Sequence, residues 1–217
     1  MDSVLDRFWI KRLEDVKVAL EENNFVARVA ATADEAREIV VSEVLPATGA
    51  ESVTFGGSMS VSATGLYEAL KARPGLAVID TYDRTISREE MYERRRQALL
   101  ADLFVSGTNA VTMDGLLVNL DMIGNRSGGI NFGPRHVVVL AGRNKVCDDL
   151  ESAMARIKSV AAPANALRLN MKTPCVKTGV CIDCKSPDRI CNTWAITEKC
   201  FPKHRITVVL VNQDLGL

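Results

Sequence analysis

Between Leu103 and Arg126 the chain reads LFVSGTNAVTMDGLLVNLDMIGNR, an apolar strand that runs directly into amide, hydroxyl, carboxylate and guanidinium side chains. Val105 can close a buried strand, Gly107-Thr108-Asn109 turns the chain outward, and Met113-Asp114-Gly115 supplies a turn before the apolar run Leu116–Leu120. Polar groups at strand ends are where open α/β sheets take their ligands. Two more segments have the same character, Gly56-Gly57-Ser58-Met59-Ser60 and Gly124-Asn125-Arg126. Glycines allow a backbone to approach a ligand closely, and a helix beginning after Ser58 or Ser60 would turn free N–H groups and a positive dipole end toward an anion. Arg126 could add a bidentate contact and Lys145 a point charge. If the three segments all follow sheet strands they converge, and the expected guest is a carboxylate or phosphate. Gly56, Gly57, Ser58, Thr108, Asn109, Asn119, Asn125, Arg126 and Lys145 are the ligand-binding candidates.

The plainer account of the same residues is that the glycines only make turns and the asparagines satisfy loop backbone. Asp114 and Asp121 are the only candidates for a catalytic base, and each also reads as a turn or capping residue. Neither the phosphate-binding Gly-x4-Gly-Lys pattern nor Gly-x-Gly-x-x-Gly occurs, so there is no nucleotide cofactor signature.

A second group lies nearer the carboxyl end. Cys175-x5-Cys181-x2-Cys184-x6-Cys191 places four thiols in a short span rich in Lys, Thr, Pro and Gly. Four thiolates suit tetrahedral zinc or an iron–sulfur cluster, and a Cys-x2-Cys pair lets two sulfurs converge from one turn. The spacing matches neither ferredoxin pattern nor a zinc ribbon. Three readings stand: a metal or cluster site, reduced thiols packed in a loop, or a redox disulfide between Cys181 and Cys184. A segment too polar to order itself by burial favours the first, because ligand bonds can supply the order. Cys147 and Cys200 read as small buried residues, His136 and His204 as structural or solvated, and Trp9 and Trp194 as packing anchors.

The elements that must position these groups alternate. Val4 to Leu20 repeats apolar residues at helical spacing and predicts an amphipathic helix ending near Asn23-Asn24. Phe25–Val29 reads as a strand, then Thr32–Leu45 as a helix with Thr32 and Glu35 as its capping pair. Strands follow at Ser52–Phe55, Leu76–Ile79, Leu103–Val105, Leu116–Leu120, His136–Leu140 and Ile206–Val211. Helices are expected over Val61–Ala72, from Ser87 through Leu100, and over Asp148–Val160. This order predicts an α/β fold with a mostly parallel sheet flanked by helices, in which a close hairpin from Val105 to Leu116 is an antiparallel exception. One domain is expected over residues 1–217, with an N-terminal helix (1–24), an α/β core (25–169), a Cys-rich loop (170–192) and terminal strands (193–217).

Lys and Arg number 27 and are balanced by 27 Asp and Glu, which leaves no electrostatic footprint for nucleic acid or an anionic membrane. The triplet Arg94-Arg95-Arg96 reads as a solvated helix face. No apolar run approaches the ~18 residues of a membrane span, and a charged start with no apolar segment behind it gives no signal peptide. A cytoplasmic location follows as the expectation.

Gly56-Gly57-Ser58-Met59, Gly107-Thr108-Asn109-Ala110-Val111-Thr112, Asp114-Gly115, Leu117-Val118-Asn119, Gly124-Asn125-Arg126, Phe132-Gly133-Pro134 and Ala141-Gly142-Arg143-Asn144-Lys145 resemble the LUD (lactate utilisation) domain, once called YkgG. So do the stretch Thr173–Cys191 and the ending Asp214-Leu215-Gly216. The resemblance implies a fold like the NagB, ribose-5-phosphate isomerase and CoA-transferase group. It also implies a part in oxidising lactate or a related 2-hydroxy acid, in company with iron–sulfur subunits. With no nicotinamide or flavin signature, electrons would leave through partner subunits or the cysteine site. Two alternatives are an accessory or regulatory binding protein with a structural metal site, and a sugar-phosphate or CoA-ester enzyme of the same fold group. The latter would need a carboxylate on a glycine loop, and no Glu stands in either of the two glycine loops.

Overall fold

The structure, a computed structural model, describes residues 3–217; Met1 and Asp2, the beginning of the charged amino-terminal stretch, lie outside it. The strands are β1 (Val26–Ala30), β2 (Ser52–Phe55), β3 (Ala77–Ile79), β4 (Leu103–Gly107), β5 (Ala110–Thr112), β6 (Leu117–Asp121), β7 (His136–Gly142), β8 (Val146–Cys147), β9 (Thr193–Thr197) and β10 (Ile206–Val211). Six of them form the central sheet in the order β1-β10-β7-β4-β2-β3. Every pairing in it is parallel. A parallel strand covered on both faces needs apolar side chains on both. β7 has them: Val137 and Val139 enter one core with Leu13, Val16 and Leu20, whereas Val138 and Leu140 enter the other with Val40, Val61 and Leu66.

The helices are α1 (Val4–Glu22), α2 (Ala33–Ile39), α3 (Leu45–Thr48), α4 (Met59–Ala63), α5 (Leu66–Lys71), α6 (Arg88–Gln97), α7 (Asn125–Asn131), α8 (Leu150–Arg156), α9 (Ala162–Arg168) and α10 (Pro174–Thr178). α1 covers one face of the sheet, and the run from α2 to α5 covers the other. No helix among the described residues is long and apolar enough to cross a membrane.

Several boundaries differ from the sequence expectation for local reasons. The helix expected over Val61–Ala72 is broken at Gly65, whose φ of 67° is left-handed, so α4 has only 5 residues. The helix expected to end at Val160 instead continues through Pro163 into α9, by way of a π turn at Ile157–Ala161. A second π turn, Val40–Val44, stands just before Pro46. Proline lacks the N–H that would close an ordinary turn, and the wider turn absorbs that loss.

The expected hairpin is real but belongs to a second, four-stranded sheet in the order β8-β5-β6-β9. β5 and β6 pair antiparallel, β5 and β8 parallel, and β6 and β9 antiparallel. β4 itself stays in the central sheet. The small sheet has its own core, in which Ala110, Val118 and Leu120 pack with Ala153 and Ile157 of the helical run that begins with α8.

Candidate functional site

Parallel strands place all their carboxyl ends along one edge, so the segments after β2, β3, β4 and β7 must meet there. Together with the segment after β6 of the second sheet they enclose a cavity of about 460 Å³ whose wall includes Gly57, Ser58, Thr108, Asn109, Asn125, Arg126 and Lys145. Thus seven of the nine ligand-binding candidates share one hollow. Gly56 and Asn119 are outside its wall. A Cβ on Gly56 would lie 2.5 Å from Ser106 Oγ and 2.6 Å from Phe104 Cζ, so this glycine is required by packing. Asn119 is buried, its Oδ1 accepts the Asn109 N–H at 3.4 Å, and its Nδ2 finds no partner among the described residues.

The glycine loop is held by an aromatic residue that the motifs did not point to. Tyr82 Oη donates to the Gly56 carbonyl at 2.9 Å and accepts the Ser58 N–H at 3.1 Å. Ser58 caps α4 by accepting the Val61 N–H at 3.3 Å. With its first turn capped internally and its length a single turn and a half, α4 gives little support to the dipole argument made from sequence.

The loop between β6 and α7 is knit to the β4–β5 turn. Arg126 Nε and an η nitrogen donate to Asp121 Oδ1 at 2.9 and 2.7 Å, and the same η nitrogen reaches Asn109 Oδ1. Asp121 Oδ2 accepts the Ser127 N–H at 2.7 Å and its hydroxyl at 2.8 Å. Both carboxylate oxygens are therefore engaged, an arrangement that orders a loop rather than one that frees a base. Asp114, the other candidate base, sits exposed in the β5–β6 turn beside α1, outside the cavity wall, where it accepts the Thr112 hydroxyl.

Lys145 is the most unusual group in the cavity. It is only 4% exposed, yet its Nζ has no carboxylate partner among the described residues. It donates to Ser60 Oγ at 2.9 Å and to the Thr108 carbonyl at 3.1 Å. Burial brings its pKa down to about 7, helped by the nearby charges of Arg126 and Arg156. The rest of the Gly142–Lys145 stretch fixes its position. Arg143 pairs with Asp6 at 2.8 Å and Asp214 at 3.1 Å, Asn144 Oδ1 accepts the Leu215 N–H at 3.0 Å, and Arg156 donates to the Asn144 carbonyl at 2.8 Å.

Three further cations, Arg84, Arg95 and Arg168, complete the wall. Arg94 pairs with Asp83 and Glu90, and Arg96 with Glu93. Arg95 between them has no acidic partner among the described residues, so only two members of the triplet fit a solvated, ion-paired face. The signal was in the sequence: positions three and four residues either side of Arg95 are Tyr92, Met91, Ala98 and Leu99, none of them acidic.

The cysteine segment forms a second, smaller hollow against α9. Cys175, Cys181, Cys184 and Cys191 all line it, together with Ala162, Ala166 and Ile190. All are free thiols, and no three acidic, histidine or cysteine side chains among the described residues are arranged to hold a metal ion. Order in this span has another source. The Arg189 fork donates to the Cys184 carbonyl at 2.7 Å, the Cys191 carbonyl at 2.9 Å and Asp183 at 2.8 Å, and Lys158 reaches Asp183 at 2.8 Å. Cys147 and Cys200 are buried, as expected of packing residues.

The model of the LUD domain matches residues 13–211 of this sequence. The chain belongs to the LUD domain family. Among curated proteins, none matches this LUD chain at a significant level. A solved structure, that of a DUF162 family protein from Deinococcus radiodurans, superposes with a TM-score of 0.53 at 12% identity, covering 94% of this chain and 97% of that one. At that identity the likeness speaks for the α/β fold alone.

Proposed function

We propose that this LUD protein binds a small anionic metabolite in the strand-end cavity and serves the oxidation of lactate or a related 2-hydroxy acid alongside iron–sulfur partner subunits. One observation carries the binding part of this reading. Arg84, Arg95, Arg126, Lys145 and Arg168 line the cavity, and the one acidic side chain in its wall, Asp121, is already bound to Arg126. Lys145 is buried and Arg95 half-buried, neither with an acidic partner among the described residues, and positive charge held there is costly until an anion joins it, whereas Arg84 and Arg168 are exposed and can only add to the attraction. Thr108, Asn109 and Asn125 add polar contacts that fix orientation, while Phe55, Met59 and Leu120 supply apolar wall. The 2-hydroxy acid and the partner subunits come from the family resemblance. Isothermal titration with lactate, pyruvate and inorganic phosphate tests the reading; an absence of salt-sensitive anion binding would sink it.

Two features favour other assignments of the same cavity. With both Asp121 oxygens engaged and Asp114 outside the wall, no acidic side chain of the wall stands ready to accept a proton, which favours an accessory or regulatory protein that senses the anion. A cavity of about 460 Å³ falls in the range that encloses molecules larger than a three-carbon acid. Together with the outer arginines and a kinship to the NagB, ribose-5-phosphate isomerase and CoA-transferase group, that favours a sugar phosphate or CoA ester. The same titration with ribose 5-phosphate and coenzyme A separates these from lactate.

For the cysteines we propose a zinc or iron–sulfur site. Its support is that all four thiols face one hollow. Their present arrangement is not a ligand set, so the loop from Gly179 to Ile190 would have to close around the metal.

A further inference from the structure

Lys145 has a geometry that anion binding alone does not use. The Ser60 hydroxyl lies 3.1 Å from the Leu215 carbonyl and donates to it, so Ser60 Oγ can only accept from Lys145 Nζ. The Thr108 carbonyl is likewise an acceptor. An uncharged amine has two hydrogens and one lone pair. Both hydrogens are taken up by these two acceptors, so the lone pair is engaged by neither, and Lys145 forms part of the cavity wall. Among the described residues no carboxylate touches the nitrogen to keep it protonated, while Arg126 and Arg156 oppose its charge. A lysine whose ordinary pKa is lowered to about 7 in a cavity is uncharged for an appreciable fraction of the time at neutral pH.

We infer that Lys145 is a nucleophile that captures the carbonyl group of a 2-oxo acid bound in this cavity, forming an iminium. The inference rests on the anion-binding reading above, since the carboxylate of the same molecule must be held beside the amine. Neighbouring residues make that possible: Thr108 holds Lys145 through its carbonyl, and Asn109 holds Arg126 through its side-chain oxygen. A 2-oxo acid carries its carboxylate one bond from its carbonyl carbon, which suits an amine and a guanidinium anchored on adjacent residues. In the reaction the Nζ lone pair forms the C–N bond, the carbonyl oxygen leaves as water with both amine hydrogens, and a proton from solvent gives the iminium its charge. No oxidant or reductant is consumed.

The test is reductive trapping. The full-length protein is incubated with pyruvate and sodium cyanoborohydride, with and without excess inorganic phosphate, and the modified peptides are mapped by mass spectrometry. A phosphate-suppressible adduct on Lys145 is the expected result. Adducts spread over surface lysines and indifferent to phosphate overturn the inference. So does a pyruvate-dependent rise in Tm with Lys145 unmodified, which leaves the anion cavity standing. If neither pyruvate nor phosphate raises Tm and no Lys145 adduct forms, both fail. Lys145→Arg is expected to lose the adduct; should it not fold, the wild-type peptide map decides alone.

Discussion

Arg126 donates two hydrogen bonds to one oxygen of Asp121, at 2.7 and 2.9 Å, while the other oxygen is held by Ser127. The guanidinium that was the clearest anion-binding candidate is thus half-neutralised by its own loop, and the aspartate is part of the scaffold.

Substitutions at these two positions should therefore part company. Arg126→Ala leaves a buried carboxylate without its cation, and removing one partner of such a pair costs about 3 kcal/mol or more. It should lower Tm and weaken phosphate binding together. Asp121→Asn also lowers Tm, because hydrogen bonds to Ser127 and Arg126 weaken, yet it releases positive charge into the cavity and should tighten phosphate binding. Titration calorimetry beside thermal melts reads both. A loss of affinity in Asp121→Asn would mean that Arg126 must be held by its partner to act at all.

Lys145 ties stability and binding to pH in opposite senses. Its folded pKa of about 7 lies below its ordinary value of 10.5. Between those values the unfolded chain binds the extra proton, so this group adds stability as pH rises from about 7 toward 10.5. Below about 7 the full cost of the buried charge is present. The charged and polar groups around Nζ are Arg126, Arg156, Ser60 and Thr108, and none offers a compensating negative charge. Denaturant midpoints across that range should climb in the wild type and flatten in Lys145→Met. An anion needs the protonated form, so phosphate affinity should fall as pH rises past about 7, with proton uptake on binding near pH 8. Calorimetry in two buffers of different ionisation enthalpy measures that uptake, and a value of zero would remove Lys145 from the anion site.

The paired glycines after β2 have unlike roles. Gly56 has Ser106 Oγ and Phe104 Cζ within 2.6 Å of where a Cβ would stand, whereas Gly57 has nothing within 4 Å and lines the cavity. Gly56→Ala overpacks the core and should cost ~1–3 kcal/mol. Gly57→Ala should melt like the wild type and bind phosphate at least several-fold more weakly, if the ligand approaches the loop backbone closely. Equal melting with equal affinity would place the ligand elsewhere in the cavity.

The alternation of elements was legible because parallel strands buried on both faces leave long Val and Leu runs, as in His136–Gly142 and Ile206–Val211. β5 and β8 were not, since they are only 3 and 2 residues long and their pairing is decided by partners distant in the chain, as when Val111 meets Val146. The convergence of Ser58, Thr108 and Lys145 followed from the strand-end loops of the central sheet, whereas Arg126 arrives from β6 of the second sheet. Tyr82, Arg84, Arg95 and Arg168 did not, because they reach the cavity from segments with no motif around them. Nor could sequence show that Asp121 is consumed by Arg126, which depends on how the loop before α7 folds back.

The two hollows share a wall. Ile190 lines both the anion cavity and the cysteine pocket, and α9 contributes Asn165 and Arg168 to the first and Ala162 and Ala166 to the second. If Cys175, Cys181, Cys184 and Cys191 close on a metal, Ile190, next to Cys191, must move with them. Anaerobic loading with zinc, or with iron and sulfide, is expected to give one site per chain that is lost in a Cys181→Ser, Cys184→Ser double variant, as read by metal analysis. Loading should also change the affinity for phosphate, and by linkage phosphate should change the metal affinity by the same factor. Stoichiometric metal with unaltered phosphate binding would separate the two hollows, and metal content unaffected by the double variant would end the cysteine proposal. The Arg189 fork gives an independent check. Arg189→Ala removes donors to the Cys184 and Cys191 carbonyls, so it should loosen the loop in metal-free protein, seen as faster amide hydrogen exchange, and metal should restore much of the protection.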